Sequence, residues 1–346
     1  MNPLIWALLL TSLTTSTMIT SMSNHWLLAW LGLELNTISM LPIMMKHSHP
    51  RMTEATTKYF IIQATAAASI LFASTLNAWQ TGQWTITNST STTATILATT
   101  AIMLKLGMAP VHLWYPEILQ GMPMHTAMII STWQKLAPLA LLYMMHDNLP
   151  TTLIMTLGLL SALMGGLTGL NQTQTRKIMA FSSIAHMGWL LTALSTNQSL
   201  ATLNMATYII TTLTMFTIMA TMSMKTMHDT GSAWTMSPML STAMMITLMS
   251  LVGLPPLTGF MPKWLVIKEL SAMNLMPMSL ALLLASLPSL LFYTRLAYLT
   301  MLTSPPTTTN MKLTWRFTTH TTPRTTTAIM MACLLLPLAA ALYNNT

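Results

Sequence analysis

Hydrophobic runs, separated by short polar or proline- and glycine-containing stretches, follow one another along the whole chain. Each run has about the 20 residues that a helix needs to cross the hydrocarbon layer of a membrane. The runs cover residues 3–21, 25–45, 56–79, 93–114, 123–145, 149–170, 174–195, 200–223, 239–260, 273–300 and 325–343. The pattern therefore predicts an all-α polytopic membrane protein with about eleven transmembrane helices.

Composition agrees with this architecture and excludes several other classes of protein. Of the 346 residues, 53% are hydrophobic and 6% are charged, whereas about a quarter of the residues in a soluble domain are charged. The net charge of +8 is spread without a basic run, so we expect no nucleic-acid partner. There is no glycine-rich nucleotide motif and no zinc motif. The single cysteine, Cys333, excludes an internal disulfide and an all-cysteine iron–sulfur site within this chain.

Basic residues in the loops predict the orientation of the chain in the membrane. They follow even-numbered helices almost throughout, whereas the loops after odd-numbered helices are nearly uncharged. The loop residues concerned are Lys46, Arg51, Lys58, Arg176, Lys177, Lys225, Lys312, Arg316 and Arg324. Because positive loops stay on one side of a membrane, we expect the N-terminus on the positive side and the C-terminus opposite.

Titratable side chains occur inside or beside several of the predicted helices. A charge at membrane depth is costly, so such residues usually face a partner or a water-filled path and have a function. The candidates are Glu34 in the second helix, Lys105 in the fourth, Lys135 in the fifth, His186 in the seventh, Lys263 after the ninth, and His112. His112 comes seven residues after Lys105, which on a continuous helix places it on the same face, two turns further on.

Structural interpretations of these residues stay open at this point. Glu34 and Lys135 could form an ion pair that only stabilises the fold. Lys263 could extend its side chain to the membrane surface. His186 could be a neutral, hydrogen-bonded core residue, although the ordinary pKa of a histidine also suits a proton relay.

Two predicted helices contain stretches that interrupt a helix at membrane depth. KLGMAP at residues 105–110 interrupts the fourth helix, and GLPP at residues 253–256 interrupts the ninth. Non-helical backbone is tolerated in the hydrocarbon layer only where protein or water satisfies its polar groups. We therefore expect water near Lys105.

The breaks also suggest an internal repeat. Residues 3–146 and 149–301 would each hold five helices, with a break in the fourth helix of each. In this alignment Lys105 corresponds to Lys263, and Glu34 corresponds to His186. Because five is an odd number, consecutive copies are inverted in the membrane. The sequence thus predicts two inverted five-helix repeats with broken helices, and one extra C-terminal helix at 325–343.

Three stretches carry a resemblance to a known family: KLGMAPVHLWYPEIL, QTRKIMAFSSIAHMGW and LVGLPPLTGFMPKW. In this order they closely resemble the antiporter-like membrane subunits of respiratory complex I, the NADH:ubiquinone oxidoreductase, and the resemblance extends over essentially the whole chain. It implies a multi-pass protein of the mitochondrial inner membrane, with the N-terminus on the matrix side. Implied partners are the other membrane-arm subunits, accessory subunits and a lipid such as cardiolipin. NADH, FMN, iron–sulfur clusters and ubiquinone would be used elsewhere in the complex, with none bound by this chain.

The resemblance also implies roles for the candidate residues. Proton translocation would involve Glu34, Lys105, Lys135 and Lys263, with His112 and His186 as relays. Two alternatives assign the chain to other functional classes. A free-standing cation/proton antiporter would work when purified alone. A structural subunit would keep the charges as internal pairs, so that their removal would damage assembly rather than turnover.

Overall fold

The computed structural model describes residues 3–46, 49–88, 91–301 and 323–334. Within these ranges the secondary structure is helical, with short 3₁₀ turns at Trp133–Lys135 and His146–Asn148. The α-helices are α1 Pro3–Met22, α2 Trp26–Met44, α3 Pro50–Thr81, α4 Thr92–Leu106, α5 Trp114–Gly121, α6 Met124–Thr132, α7 Leu136–Met144, α8 Thr151–Gly169, α9 Thr175–Thr196, α10 Gln198–Thr221, α11 Met227–Gly231, α12 Ala233–Met236, α13 Pro238–Val252, α14 Phe260–Ala272, α15 Met276–Met301 and α16 Pro323–Leu334.

Seven of the described helices are long and apolar enough to cross a membrane: α1, α2, α3, α8, α9, α10 and α15. The predicted class, an all-α multi-pass membrane protein, is therefore confirmed. Helices α4 and α13 are also apolar but have 15 residues each, because each ends at a break. The complete arrangement of eleven helices in two inverted repeats stays a prediction.

The third helix begins earlier than the pattern predicted. It was expected at 56–79, whereas α3 starts at Pro50 and ends at Thr81, before Gly82, whose φ is 72°. Proline at the first helical position needs no hydrogen-bond donor, and His49 Nδ1 accepts from the N–H of Arg51 at 3.2 Å. Arg51 and Lys58, predicted to lie in a loop, are therefore in the first turns of α3.

Both predicted breaks are present. Helix α4 ends at Leu106 because Gly107 takes a left-handed φ of 72°, and the next helix begins seven residues later with α5. Helix α13 ends at Val252, where Gly253 has a φ of 86°. The predicted end of the ninth span at residue 260 is wrong, because the chain forms a second helix, α14, after this break.

A third interruption lies in the fifth predicted helix. The span expected at 123–145 is divided into α6, the 3₁₀ turn Trp133–Lys135 and α7. Pro138 accounts for it, because proline has no N–H to donate to the carbonyl of Gln134, four residues earlier, and its ring crowds that carbonyl. Lys135 therefore lies in the turn itself.

The chain divides into two compact units, Met1–Leu157 and Gly158–Thr346. In the first unit α2 packs against α1 and α3, and α3 also packs against α4 and α5. In the second unit α13 packs against α10 and α15, and α9 packs against α10. The predicted repeats 3–146 and 149–301 stay a prediction.

The extra C-terminal helix is present from Pro323 to Leu334 as α16, which packs against α10 and α13. The Thr258 hydroxyl, from the segment between α13 and α14, donates to the backbone carbonyl of Ala332 in α16. Residues 335–343 of the predicted helix, and the predicted loop residues Lys312 and Arg316, lie outside the described residues.

Candidate functional site

A small cavity in the first unit brings two of the predicted lysines together. Its volume is about 20 Å³, and a volume of roughly 10–15 Å³ can hold one water molecule. The polar residues that line it are Tyr59, Gln63, Lys105, Tyr115, Gln134 and Lys135. Lys105 lies in the last turn of α4, and Lys135 lies in the 3₁₀ turn Trp133–Lys135. The break after α4 and the 3₁₀ turn are therefore both next to this cavity.

Lys105 is 6% exposed, and its ammonium has no hydrogen-bond partner among the described residues. It stands at the C-terminal end of α4, where the helix dipole favours a positive charge. The backbone carbonyl of Lys105 accepts from Gln63 Nε2 at 3.3 Å. A side chain of α3 thus provides a hydrogen bond to a carbonyl at the end of α4. The Lys105 side chain is thus buried and polar, and its ammonium has no direct hydrogen-bond partner in the described part of the chain, which suits a group that exchanges a proton with water.

Lys135 is 3% exposed, and its Nζ lies 5.0 Å from the ring centroid of Tyr115. An aromatic face stabilises a desolvated ammonium. Lys105 and Lys135 line the same cavity, where a positive charge on one lysine would disfavour a positive charge on the other.

Glu34 lies half-buried on α2, where its carboxylate accepts from the Thr37 hydroxyl at 3.1 Å. It also interacts electrostatically with Lys105 and Tyr59. A carboxylate at such a position favours the charged form of a nearby lysine. Glu34 therefore acts electrostatically on Lys105, which lines the cavity.

The prediction that His112 lies on the same helix face as Lys105 is wrong. Because Gly107 ends α4, His112 lies in the non-helical segment 107–113 and does not share a helix face with Lys105. The histidine is nevertheless 2% exposed. Its Nδ1 lies 3.2 Å from the carbonyl oxygen of Pro110, and its Nε2 has no hydrogen-bond partner among the described residues.

In the second unit, Lys263 and His186 line a cavity of about 10 Å³ together with Trp189, Asn204 and Tyr208. The Lys263 ammonium donates to the carbonyl of Val252, the last residue of α13, at 2.7 Å. It also lies 5.8 Å from the ring centroid of Trp189. Lys263 therefore binds the negative end of the broken helix instead of extending to the membrane surface. The rings of His186 and Tyr208 are 5.9 Å apart.

Sequence reasoning missed the neutral polar residues of both cavities. In the first unit these are Tyr59, Gln63 and Gln134. Asn36, on α2, accepts a hydrogen bond from Gln134 Nε2 at 3.2 Å. Asn204 is their counterpart in the second unit, 4% exposed, with no partner for Nδ2 among the described residues. For the asparagines and glutamines among them, an amide in the middle of an apolar run is the signal that could have found them, because a buried amide needs hydrogen bonds.

Comparisons with known proteins identify the family. A family model described as "NADH:quinone oxidoreductase/Mrp antiporter, TM" matches residues 23–289, and one described as "NADH dehydrogenase subunit 2 C-terminus" matches residues 290–343. NADH-ubiquinone oxidoreductase chain 2 of Elephas maximus is 50% identical over 339 residues, which are 98% of each chain. The protein of the same name from Xenopus laevis is 48% identical over 97% of this chain and 96% of its own. The chain belongs to the NADH-ubiquinone oxidoreductase chain 2 family. The predicted resemblance is therefore confirmed.

A solved structure supports the fold of this chain 2 family member. The structure titled "Respiratory complex I from Thermus thermophilus with bound Aureothin" contains a chain that matches with a TM-score of 0.83 and 24% identity. The match covers 98% of this chain and 77% of that one. In the chain 2 fold described here, each unit places a lysine beside a broken helix and next to a small polar cavity.

Proposed function

We propose that this chain is a proton-translocating membrane subunit of NADH:ubiquinone oxidoreductase, with Lys105 as the residue that is loaded and unloaded in the first unit. Family membership supports the subunit role, because the relatives are named as chain 2 of that enzyme. The buried Lys105 ammonium carries the proposal for the site. It has no hydrogen-bond partner among the described residues, and it faces a cavity large enough for one water molecule.

Glu34 sets the proton affinity of Lys105 in this mechanism. Its negative charge favours the charged lysine, whereas burial and the second lysine, Lys135, disfavour it. If Glu34 moves closer to Lys105 or further away, the balance changes and the proton is taken up or released. Each unit of change in pKa corresponds to about 1.36 kcal/mol, so a small displacement of one helix is enough to change the occupancy.

The remaining predicted residues would form the rest of the path. His112 would exchange protons between the break after α4 and the aqueous side. Lys135, His186 and Lys263 would pass charge along the membrane plane. The Lys263 ammonium supports this role, because its bond to the Val252 carbonyl at 2.7 Å holds it at the second break.

The chain would carry out this function within the mitochondrial inner membrane, with its N-terminus on the matrix side. Its partners would be the other membrane-arm subunits, accessory subunits and a lipid such as cardiolipin. It would bind no redox cofactor. The reactions of NADH, FMN, iron–sulfur clusters and ubiquinone would take place elsewhere in the complex, and they would affect these lysines only through coupled changes in protein structure.

Replacing Lys105 by methionine in the assembled complex tests this function. The change removes the charge and keeps a flexible side chain of similar length. Lys268→Met is the matched control, because Lys268 is an exposed lysine on α14. We expect Lys105→Met to lower NADH oxidation at least tenfold while native gels show normal amounts of assembled complex. Normal oxidation, or a loss of assembly that accounts for the lost activity, would favour the structural-subunit alternative.

A further inference from the structure

We infer that Gln134 is a positioning residue, which holds Lys135 at the cavity that it shares with Lys105. The inference rests on the proposed function, in which both lysines take part in proton transfer. It concerns a side chain that is neutral and therefore carries no proton itself. The structural basis is the unusual backbone around Gln134 and the two hydrogen bonds of its amide group.

The backbone at Gln134 is not fixed by regular helix hydrogen bonds. Residues Trp133–Lys135 form a 3₁₀ turn between α6 and α7, and Pro138 provides no N–H for the carbonyl of Gln134. A 3₁₀ stretch within a helix often marks a hinge. Lys135 is part of this turn, so its position depends on whatever holds the turn in place.

The Gln134 side chain ties the turn to two other helices. Its Oε1 accepts from the hydroxyl of Tyr59 on α3 at 3.4 Å, and its Nε2 donates to Oδ1 of Asn36 on α2 at 3.2 Å. Tyr59 and Asn36 are each 2% exposed. A movement of the turn that breaks these two hydrogen bonds would deprive the buried Tyr59 hydroxyl and the buried Asn36 amide oxygen of these partners, which is unfavourable. The amide thus acts as a clamp between α2, α3 and the turn.

The clamp lies at the cavity that the two lysines share. Gln134 and Tyr59 line the same cavity as Lys105 and Lys135. The titratable groups that face the cavity are Tyr59 on α3, Lys105 on α4, Tyr115 on α5 and Lys135 in the turn, and Glu34 on α2 acts on Lys105 electrostatically. Coulomb energies change steeply with distance at low dielectric, so a shift of the turn alters the coupling between the two lysines.

An amide fits a positioning role and does not fit a relay. A side-chain amide donates and accepts hydrogen bonds at the same time but does not ionise at physiological pH. The clamp also connects α2, which carries Glu34, with the turn that carries Lys135. A displacement of α2 is thereby passed to Lys135 through hydrogen bonds, while the proton remains on the lysines.

Two substitutions in the assembled complex test the inference. Gln134→Leu removes both hydrogen bonds, and Tyr59→Phe removes one of them with the loss of a single oxygen atom. Gln172→Leu is the control, because Gln172 is equally half-buried and donates one hydrogen bond to the backbone carbonyl of Thr168 at 3.3 Å. We expect kcat for NADH oxidation to fall about fivefold in Gln134→Leu and about twofold in Tyr59→Phe. The KM for ubiquinone should not change.

The pH dependence of kcat separates positioning from a purely structural role. A loss of stability lowers the amount of active complex and leaves the profile in place. A displaced Lys135 should move the pH of half-maximal turnover by half a unit or more in Gln134→Leu and Tyr59→Phe, but not in Gln172→Leu. An unchanged profile in both cavity variants would overturn the inference. If Gln134→Leu does not assemble, Tyr59→Phe decides by the same criterion.

A double substitution with Lys135→Met distinguishes failure of the inference from failure of the proposed function. If Gln134 acts through Lys135, adding Gln134→Leu to Lys135→Met causes no further loss. Full additivity of the two losses would contradict the inference alone. Normal turnover in Lys135→Met would contradict the proposed role of Lys135 in proton transfer, whatever Gln134→Leu does.

Discussion

Replacing Gly107 by alanine separates the cost of a left-handed backbone from the cost of crowding the site. Gly107 and Gly82 have the same φ of 72°, and alanine in this conformation costs about 1–2 kcal/mol at either position. A Cβ at Gly82 would meet nothing within 4 Å, whereas a Cβ at Gly107 would lie 3.1 Å from Tyr115 Cβ and 3.2 Å from Trp114. Gly82→Ala is therefore the matched control for Gly107→Ala.

The crowding sets the expected difference between the two variants. Overpacking of a buried contact typically costs about 1–3 kcal/mol. If this difference appears in the unfolding rate, heat inactivation of Gly107→Ala is about 5- to 150-fold faster than that of Gly82→Ala, since 1.4 kcal/mol is a factor of ten. Displacement of Tyr115 should also lower turnover before heating, because the ring lies 5.0 Å from the Lys135 ammonium.

The assay is the loss of NADH oxidation over time by assembled complexes held at one elevated temperature. Initial turnover is measured on the same preparations, and native gels measure the amount of assembled complex. Equal inactivation rates and equal turnover in the two alanine variants would refute the reasoning. In that case the close packing of α5 against the first break would have no energetic consequence.

Two further changes test the second unit. Lys263→Met removes the ammonium that donates to the Val252 carbonyl at 2.7 Å, and a hydrogen bond to a charged group contributes about 1.5–3 kcal/mol. We therefore expect a more mobile second break, seen as faster amide exchange at Gly253 and Leu254, together with slower proton pumping. Lys225→Met, a control at an exposed lysine, should change neither. Asp229 caps α11 by accepting from the N–H groups of Lys225 and Thr226 at 2.9 Å each. Partial burial acts to raise the pKa of Asp229, but these backbone hydrogen bonds, the Thr226 hydroxyl and the nearby His228 together outweigh it, and the pKa is lowered. The capping contribution is thus fully present above the ordinary Asp pKa of about 3.9 and is lost as the pH falls through the lowered value. We expect Asp229→Asn to speed amide exchange at Lys225 and Thr226 at neutral pH, with less difference from the unsubstituted chain in acid; the same difference at every pH would contradict the assignment.

The helices and breaks were predictable because their signals are local. A run of apolar residues needs no partner to be recognised, and a glycine followed by prolines ends a helix in any surroundings. For the third interruption, Pro138 alone predicts a kink, but it does not reveal the 3₁₀ turn at Trp133–Lys135, which lies before the proline. The start of α14 was missed because Lys263, Lys268 and Glu269 reduce the apolar character of that segment.

The site was predictable only in part. Charged residues inside apolar runs were evident, and the structure places Lys105 and Lys135 at one cavity. The spacing argument for His112 failed because it assumed a continuous helix across Gly107. Gln134 and Asn36 were missed because their role depends on contacts between residues 98 positions apart, which no local pattern reveals.

Proton pumping by reconstituted, fully assembled complex with Lys105→Met tests the central claim most directly. Acidification or alkalinisation of the vesicle interior is followed in parallel with NADH oxidation, and Lys268→Met complex serves as the control. The account predicts that pumping and oxidation both fall in the Lys105→Met complex while assembly is preserved. Pumping and oxidation at the control level would contradict it, because the charge at Lys105 would then have no part in the reaction.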